Sequence, residues 1–276
     1  MTENARPAVT KVVILARGLG TRMRKADPRA QVAPEQAAAA DSGVKAMIPV
    51  GRPFLDFLLS AAADAGFTRA CLVIGEEHSF IRSHYGEAHP PTRIEVSFAL
   101  QVKPLGTADA VLAAESFVES DDFVVLNSDN YYPVSALAAL RVAPPPALVA
   151  FERDALVQGG NVPPGRVERF GALEIDGRGM LERILARPDA SRGAGEEVVY
   201  ASMNCWLFTP GIFRACREVP YSARGELELP QAVQLAIDRH GAEFTALRVA
   251  TPVLDLSSRA DIASVTERLR DIRVVL

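Results

Sequence analysis

Leu15-Ala16-Arg17-Gly18-Leu19-Gly20-Thr21-Arg22-Met23-Arg24 is the stretch on which the reading of this 276-residue sequence turns. It follows Lys11-Val12-Val13-Ile14-Leu15, a β-branched run typical of a strand buried on both faces. A strand that runs into a glycine-rich turn lets backbone N–H groups approach a phosphate chain closely, because glycine has no Cβ. Arg22 and Arg24 add guanidinium forks that match phosphate oxygens. Two well-known phosphate loops are excluded by single residues. Met23 stands where the dinucleotide fingerprint needs its third glycine, and no Gly-Lys-Ser/Thr follows as a Walker loop requires. The string reads as a phosphate-binding turn of another kind.

Working outward, strand and helix signals alternate. Pro53 to Ala65 reads as a helix with an apolar stripe of Phe54, Phe57, Leu58 and Ala61, ended by Gly66. Ala70–Ile74 and Ile94–Leu100 read as strands. A helix opens at Gly106-Thr107 and runs to about Val118. Asp122–Asn127 is the next strand, Pro133–Arg141 a helix stopped by Pro144-Pro145-Pro146, and Ala147–Phe151 a fifth strand. Repeated strand–helix alternation predicts an α/β fold, a mostly parallel twisted sheet flanked by helices. Beyond it, Gly171–Asp176 and Met180–Leu185 suggest a hairpin, Ala201–Phe208 a strand, and Leu229–Arg239 and Ser258–Leu269 helices. Gln31–Ser42 is Ala-rich and uncommitted, with the character of an insertion beside the first loop. No linker divides the chain, so 1–276 reads as one domain.

Composition narrows the function classes. A formal net charge of −4 argues against a sequence-independent grip on nucleic acid, which needs a basic face. Cys71, Cys205 and Cys216 sit in apolar stretches without metal-ligand spacing, and read as buried reduced thiols. Residues 1–10 lack a signal-peptide core, and no apolar run approaches the ~18 residues of a membrane span. These features lead to the expectation of a cytoplasmic protein with no membrane partner. His78, His84, His89 and His240 are scattered and read as structural or surface residues.

The Gly18–Arg24 string resembles the signature loop of the sugar-phosphate nucleotidylyltransferases, the family of thymidylyl-, uridylyl-, adenylyl- and guanylyltransferases acting on sugar 1-phosphates. The resemblance continues along most of the chain. It implies a Rossmann-like, nucleotide-diphospho-sugar transferase (GT-A-like) fold, with a nucleotide half at about 9–150 and an acceptor half at about 151–276. It also implies a Mg²⁺-dependent transfer between a nucleoside triphosphate and a sugar-1-phosphate or related phosphate, and a homo-oligomer. The ending at Leu276, without hexapeptide repeats, implies no C-terminal β-helix.

Residue by residue, the resemblance assigns the nucleotide to Leu15, Ala16, Gly18, Gly20, Thr21 and Arg22. Lys45, in Lys45-Ala46-Met47-Ile48-Pro49-Val50, stands for the family lysine on the nucleotide phosphates; read alone it is a surface lysine. Gln101 and Gly106, with Pro104 and Thr107, match the base-binding segment, where a Gln bonds the base edge and the Gly lets the ring lie against backbone. Read alone, Thr107 is a helix cap. Asp129, in Leu126-Asn127-Ser128-Asp129-Asn130, falls at the end of a buried strand, where ligands bind in such sheets. It matches the family metal ligand, as Asp255 does in Val253-Leu254-Asp255; read alone, Asp255 is a turn or cap residue. A Gln base reader favours uracil or thymine.

Departures cluster on the acceptor side. Arg187 stands where the family has Lys for the sugar phosphate, Ala186 where it has Glu, Phe170 before Gly171 where it has Tyr, Asn204 where Gly is usual, Trp206 where Tyr is usual, and Val253 where Trp is usual. Asn130, Gly171, Arg187, Asn204, Trp206 and Glu226, the last in Arg224-Gly225-Glu226, are the acceptor candidates. Arg22, Lys45, Asp129 and Arg187 are the catalytic ones. Arg17, where the loop normally has a small residue, either adds a cation to the loop or points to solvent. These changes leave two readings: a transferase with an unusual sugar or cyclitol phosphate, or a nucleotide-binding regulatory relative with weak catalysis.

Overall fold

The computed structural model describes residues 6–30, 32–185 and 199–276. Its strands are β1 (Lys11–Leu15), β2 (Arg69–Ile74), β3 (Glu95–Leu100), β4 (Phe123–Asn127), β5 (Asn130–Tyr131) and β6 (Ala147–Glu152). They continue with β7 (Ala172–Ile175), β8 (Leu181–Leu185), β9 (Tyr200–Phe208), β10 (Thr245–Val249) and β11 (Leu254–Asp255). The main sheet runs β10-β6-β9-β4-β1-β2-β3, with the β7–β8 hairpin joined to it through β9, and β5 and β11 form a separate ribbon.

β1 pairs in parallel with β2 and β4, β2 with β3, and β6 with β10. The expectation of a mostly parallel sheet therefore holds for these strands, while β9 and the β7–β8 hairpin are antiparallel. β9 lies antiparallel between β4 and β6 and joins the two halves of the chain. Along β1 the apolar residues alternate between two cores. Val12 and Ile14 pack with Leu55, Leu58, Leu137 and Leu140 of the helices Phe54–Asp64 and Val134–Val142. Val13 and Leu15 pack on the other face with Val111, Phe213 and Val233. A strand covered on both faces has no position for a solvated side chain, hence the unbroken apolar run. Lys11 is the exception that stays polar: its Nζ donates to Val118 O at 2.9 Å and pairs with Asp121 at 2.8 Å.

Two local expectations are corrected. Gln31–Ser42 is not uncommitted: Pro34–Ser42 is a helix, with Pro34 in its first turn and Gly43 at its C-cap. Gln36 explains the start, since its side chain accepts from Ala33 N at 3.0 Å and donates to Pro49 O at 2.8 Å. The helix expected from Gly106 to Val118 is two, Thr107–Ala113 and Glu115–Val118, interrupted at Ala114. The three cysteines are buried and free, and burial pushes the Cys71 thiol up to about 11.

Candidate active site

A cleft of about 360 Å³ opens at the carboxyl ends of β1, β3 and β4, where Leu15, Gln101 and Asn127 reach its wall. Its volume is in the range of small-molecule sites. Below it the chain leaves β1 through the glycine turn. Gly20 takes φ +60, and a Cβ there would overlap the carbonyl of Gly43, so the two backbones close on one another only because residue 20 is glycine. Met23 is fully buried against Phe54, Leu256 and Ile262. That packing anchors the turn from below and explains a large apolar residue where another loop has glycine.

The two loop arginines part company. Arg22 lines the cleft, is exposed and has no ion-pair or hydrogen-bond partner among the described residues. Arg24 turns away, donating to Ser42 O at 3.1 and 2.7 Å. Arg17 does not point to solvent: it lines the cleft, its side chain 8% exposed. It crosses the cleft rim, where its Nε pairs with Glu77 at 3.1 Å and its Nη1 donates to Gln101 O. The Arg17 guanidinium holds the Glu77 carboxyl below the ordinary carboxylate range.

Lys45 enters from the 3₁₀ turn Lys45–Met47 and donates to Asp129 Oδ2 at 2.9 Å. Both line the cleft and both are partly exposed, 14% and 25% by side chain, so neither is sealed from a ligand. Asp129 follows β4 in a turn tied at both ends: Ser128 N donates to Leu15 O at 3.2 Å, and Leu256 N to Asp129 O at 2.8 Å.

On the far wall Gln101 is 4% exposed. Its Nε2 donates to Gly106 O at 3.0 Å and to Asp109 Oδ2 at 2.7 Å. Both partners are acceptors, so the amide must present its nitrogen to them and its Oε1 elsewhere. Gly106 has φ +128 and lies so tightly on the Leu227 backbone that a side chain would collide with it. Pro104 and Thr107 line the same wall. Thr107 caps a helix other than its own: its Oγ1 accepts from Leu229 N at 2.8 Å, at the start of Leu229–His240.

The acceptor candidates are less well gathered. Arg187 lies outside the described residues, as does Ala186. Glu226 is exposed on the cleft wall. Trp206 is corrected: it is fully buried, stacked on Phe208 at 5.9 Å and edge-on to Phe244 at 6.1 Å, so it reaches no acceptor. Asn204 does not line the cleft; its Oδ1 accepts from Trp206 Nε1 at 3.1 Å. It has φ +52 within β9, the left-handed region that glycine and asparagine adopt most readily. The left-handed backbone here accommodates asparagine where the family has glycine. Gly171 supports the hairpin, its carbonyl accepting from Ser202 N at 2.9 Å.

Asn130 and Asp255 face each other across the β5–β11 ribbon, both buried and neither on the cleft. Asp255 Oδ1 accepts from Ser257 Oγ at 2.9 Å and from Asn130 Nδ2 at 3.2 Å. Its Oδ2 accepts from Arg166 Nη1 at 2.9 Å, and its own backbone N–H and C=O are both held by Asn161 at 2.8 Å. Burial, then the nearby Asp129 charge, push the Asp255 carboxyl above the ordinary range. Arg166, in Pro163-Pro164-Gly165-Arg166, carried no sequence signal. Asp109 and Ser128 were likewise unflagged.

Among the described residues no three His, Cys, Asp or Glu side chains group into a ready-made metal cage. Asp129 alone still fits Mg²⁺, which is commonly held by one or two carboxylates together with substrate phosphates and water. Asp255, as placed here, does not offer a free oxygen pair.

A cleft at parallel strand ends, with an unpaired arginine over a glycine turn and a Lys–Asp pair opposite an oriented amide, defines a nucleotide-handling α/β protein. A family model described as nucleotidyl transferase matches residues 37–251, and the chain belongs to that family. The match begins after the glycine turn. The chain is 28% identical over 263 residues to a glucose-1-phosphate thymidylyltransferase of Streptomyces antibioticus, covering 92% of this chain and 65% of that protein. It is 27% identical over 263 residues to the UTP–glucose-1-phosphate uridylyltransferase AglF of Haloferax volcanii, covering 95% and 97%. It spans less than two thirds of several relatives, 57% of a Streptomyces griseus glucose-1-phosphate thymidylyltransferase among them. Among solved structures, a UDP-glucose pyrophosphorylase complexed with UDP-glucose superposes with a TM-score of 0.71 at 16% identity, covering 96% of this chain and all of the other. That likeness concerns the fold. No helix among the described residues is long and apolar enough to cross a membrane.

Proposed function

We propose that this chain transfers a nucleoside monophosphate from a nucleoside triphosphate to a sugar-1-phosphate or a similar phosphate, releasing pyrophosphate. The observation that carries the reading is the cleft itself, where Arg22 stands unpaired over the glycine turn and the Lys45–Asp129 pair faces it from the end of β4. Arg22 and Lys45 would hold the triphosphate, and Gln101 and Gly106 the base. The acceptor phosphate oxygen attacks the α-phosphorus in line, and pyrophosphate leaves. No general base is required, because a phosphate monoester is largely ionised near neutral pH. The work falls to positioning and charge neutralisation. Mg²⁺, held through Asp129, would neutralise charge on the phosphates. Arg187 would meet the incoming phosphate, and Glu226 the acceptor.

Uridine or thymidine triphosphate is the favoured donor, in line with the names of the relatives. We take residues 1–276 to work as one nucleotidylyltransferase unit, cytoplasmic and homo-oligomeric. A regulatory nucleotide binder is the second reading, supported by the engagement of Asp255 within the protein. A screen of nucleoside triphosphates against sugar and cyclitol 1-phosphates, with Mg²⁺ and with chelator, separates them. Chelator-sensitive pyrophosphate release with one pair supports transfer. Nucleotide binding without release from any pair overturns it in favour of the regulatory reading.

A further inference from the structure

The carboxylate of Asp255 accepts from three donors within the protein. Oδ1 has two donors, Ser257 Oγ and Asn130 Nδ2, which fill its lone pairs. Oδ2 carries the Arg166 guanidinium. Arg166 is itself fixed, because its second nitrogen, Nη2, pairs with Asp261 Oδ1 at 2.9 Å. Asp261 is fixed in turn by the Ser258 N–H at 2.7 Å and hydroxyl at 2.8 Å, the cap of the helix Arg259–Leu269. Asp255 and Asp261 are 5% and 6% exposed by side chain, and Arg166 13%. A dication approaching Oδ2 meets a held positive charge. Asp129 presents the opposite arrangement: it lies on the cleft, a quarter exposed, with a single flexible lysine as partner.

We propose that Arg166 occupies the place beside Asp255 that a metal ion would take, so that Asp129 is the one carboxylate holding the cation while Asp255 is a positioning residue. Asp255 acts through the ribbon: it orders Asn130, the residue next to Asp129, and Leu256 N holds the Asp129 carbonyl. Outer partners of this kind tune a metal ligand without touching the ion. The inference rests on the nucleotidyl-transfer reading for the presence of a divalent cation.

The test is Mn²⁺ binding to the whole chain, measured by electron paramagnetic resonance with and without UTP, and circular dichroism as the check on folding. Asp129→Asn is expected to weaken Mn²⁺ by more than about a hundredfold, and Asp255→Asn by only about tenfold, the loss typical of an outer partner. Arg166→Met frees a carboxylate beside Asp129 and is expected to tighten Mn²⁺ about tenfold, while Arg166→Lys, which keeps the charge, leaves it near wild type. A purely structural tether would not tighten the metal. Should Arg166→Met fail to fold, the two aspartate variants and Arg166→Lys decide. Equal losses for the two aspartates, or folded Arg166→Met with unchanged affinity, overturn the proposal. Pyrophosphate release by the wild type is scored separately. Its absence counts against the transfer reading alone, whereas a failed Mn²⁺ comparison with release intact counts against this assignment alone.

Discussion

The cleft and the buried network around the β5–β11 ribbon are built on opposite principles. At Arg22, Lys45 and Gln101 polar groups are left available: Arg22 has no partner among the described residues, Lys45 has one, and the Gln101 side-chain oxygen is turned away from Gly106 and Asp109. Along 161–171, 204–206 and 255–261, polar groups are spent on one another. Arg166, Asp255, Asp261, Asn161 and Asn130 form one closed network, and Asn204 caps Trp206. A group satisfied within the protein gains nothing from a ligand unless that partner is given up. The first region is disposed to bind, the second to hold the first in place.

The comparison is broken most sharply at Asp129. Asp129→Ala is expected to lower turnover by about a thousandfold or more with an unchanged circular dichroism spectrum, a loss of preorganised charge at the reacting phosphate. Near-normal pyrophosphate release in that variant would place the chemistry elsewhere. Trp206→Ala tests the other side. It should cost about 3–5 kcal/mol of stability in a denaturant titration, the usual range for an aromatic deleted from a core, while turnover per folded molecule stays close to wild type. A selective loss of acceptor affinity would instead restore Trp206 to the site.

Smaller effects sharpen the picture. Both Asn204→Val and Asn204→Gly take the acceptor from the buried Trp206 Nε1; Asn204→Val also forces a β-branched residue to φ +52, so it is expected to be about 1–3 kcal/mol less stable than Asn204→Gly. Equal costs for the two would mean that the side chain, not the backbone, matters there. Least of all, Glu77→Gln removes the partner of Arg17. The Glu77 carboxyl is depressed in the folded state by that guanidinium, so its contribution is present above the ordinary carboxylate pKa and fades as pH falls through the lower folded value. Both groups lie at a partly solvated rim, so the melting temperature should drop only about 1–2 °C at pH 7. The difference between variant and wild type should vanish in acid.

What the sequence made legible divides along the same line. The β1 run and the glycine turn were readable because a strand covered on both faces and a backbone that must close on Gly43 each admit few residue types. Lys45, Gln101 and Gly106 were readable from a resemblance, and all three line the cleft. Trp206 and Asn204 were misread because a sequence lists side chains, whereas their placement depends on β9 lying between two other strands and turning left-handed midway. Arg166 was invisible for a related reason. An isolated arginine after two prolines has meaning only when the fold brings Asp255 and Asp261 to it. The helix at Pro34–Ser42 was missed because an alanine-rich stretch has no apolar stripe to announce a face.

The antiparallel strand β9 also sets the order in which the chain can be completed. β4 and β6 are both made before it, yet neither pairs with the other; each waits for residues 200–208 to slide between them. During synthesis the first half therefore exposes two unpaired edges, Phe123–Asn127 and Ala147–Glu152, both rich in apolar residues. Such edges are templates for pairing with other chains. Closing them requires contacts distant in sequence, which are slow to form because the intervening loop must first be closed. A strand buried at the centre of the finished sheet is in this sense its keystone, and the interval before it arrives leaves a nascent chain open to association with its neighbours.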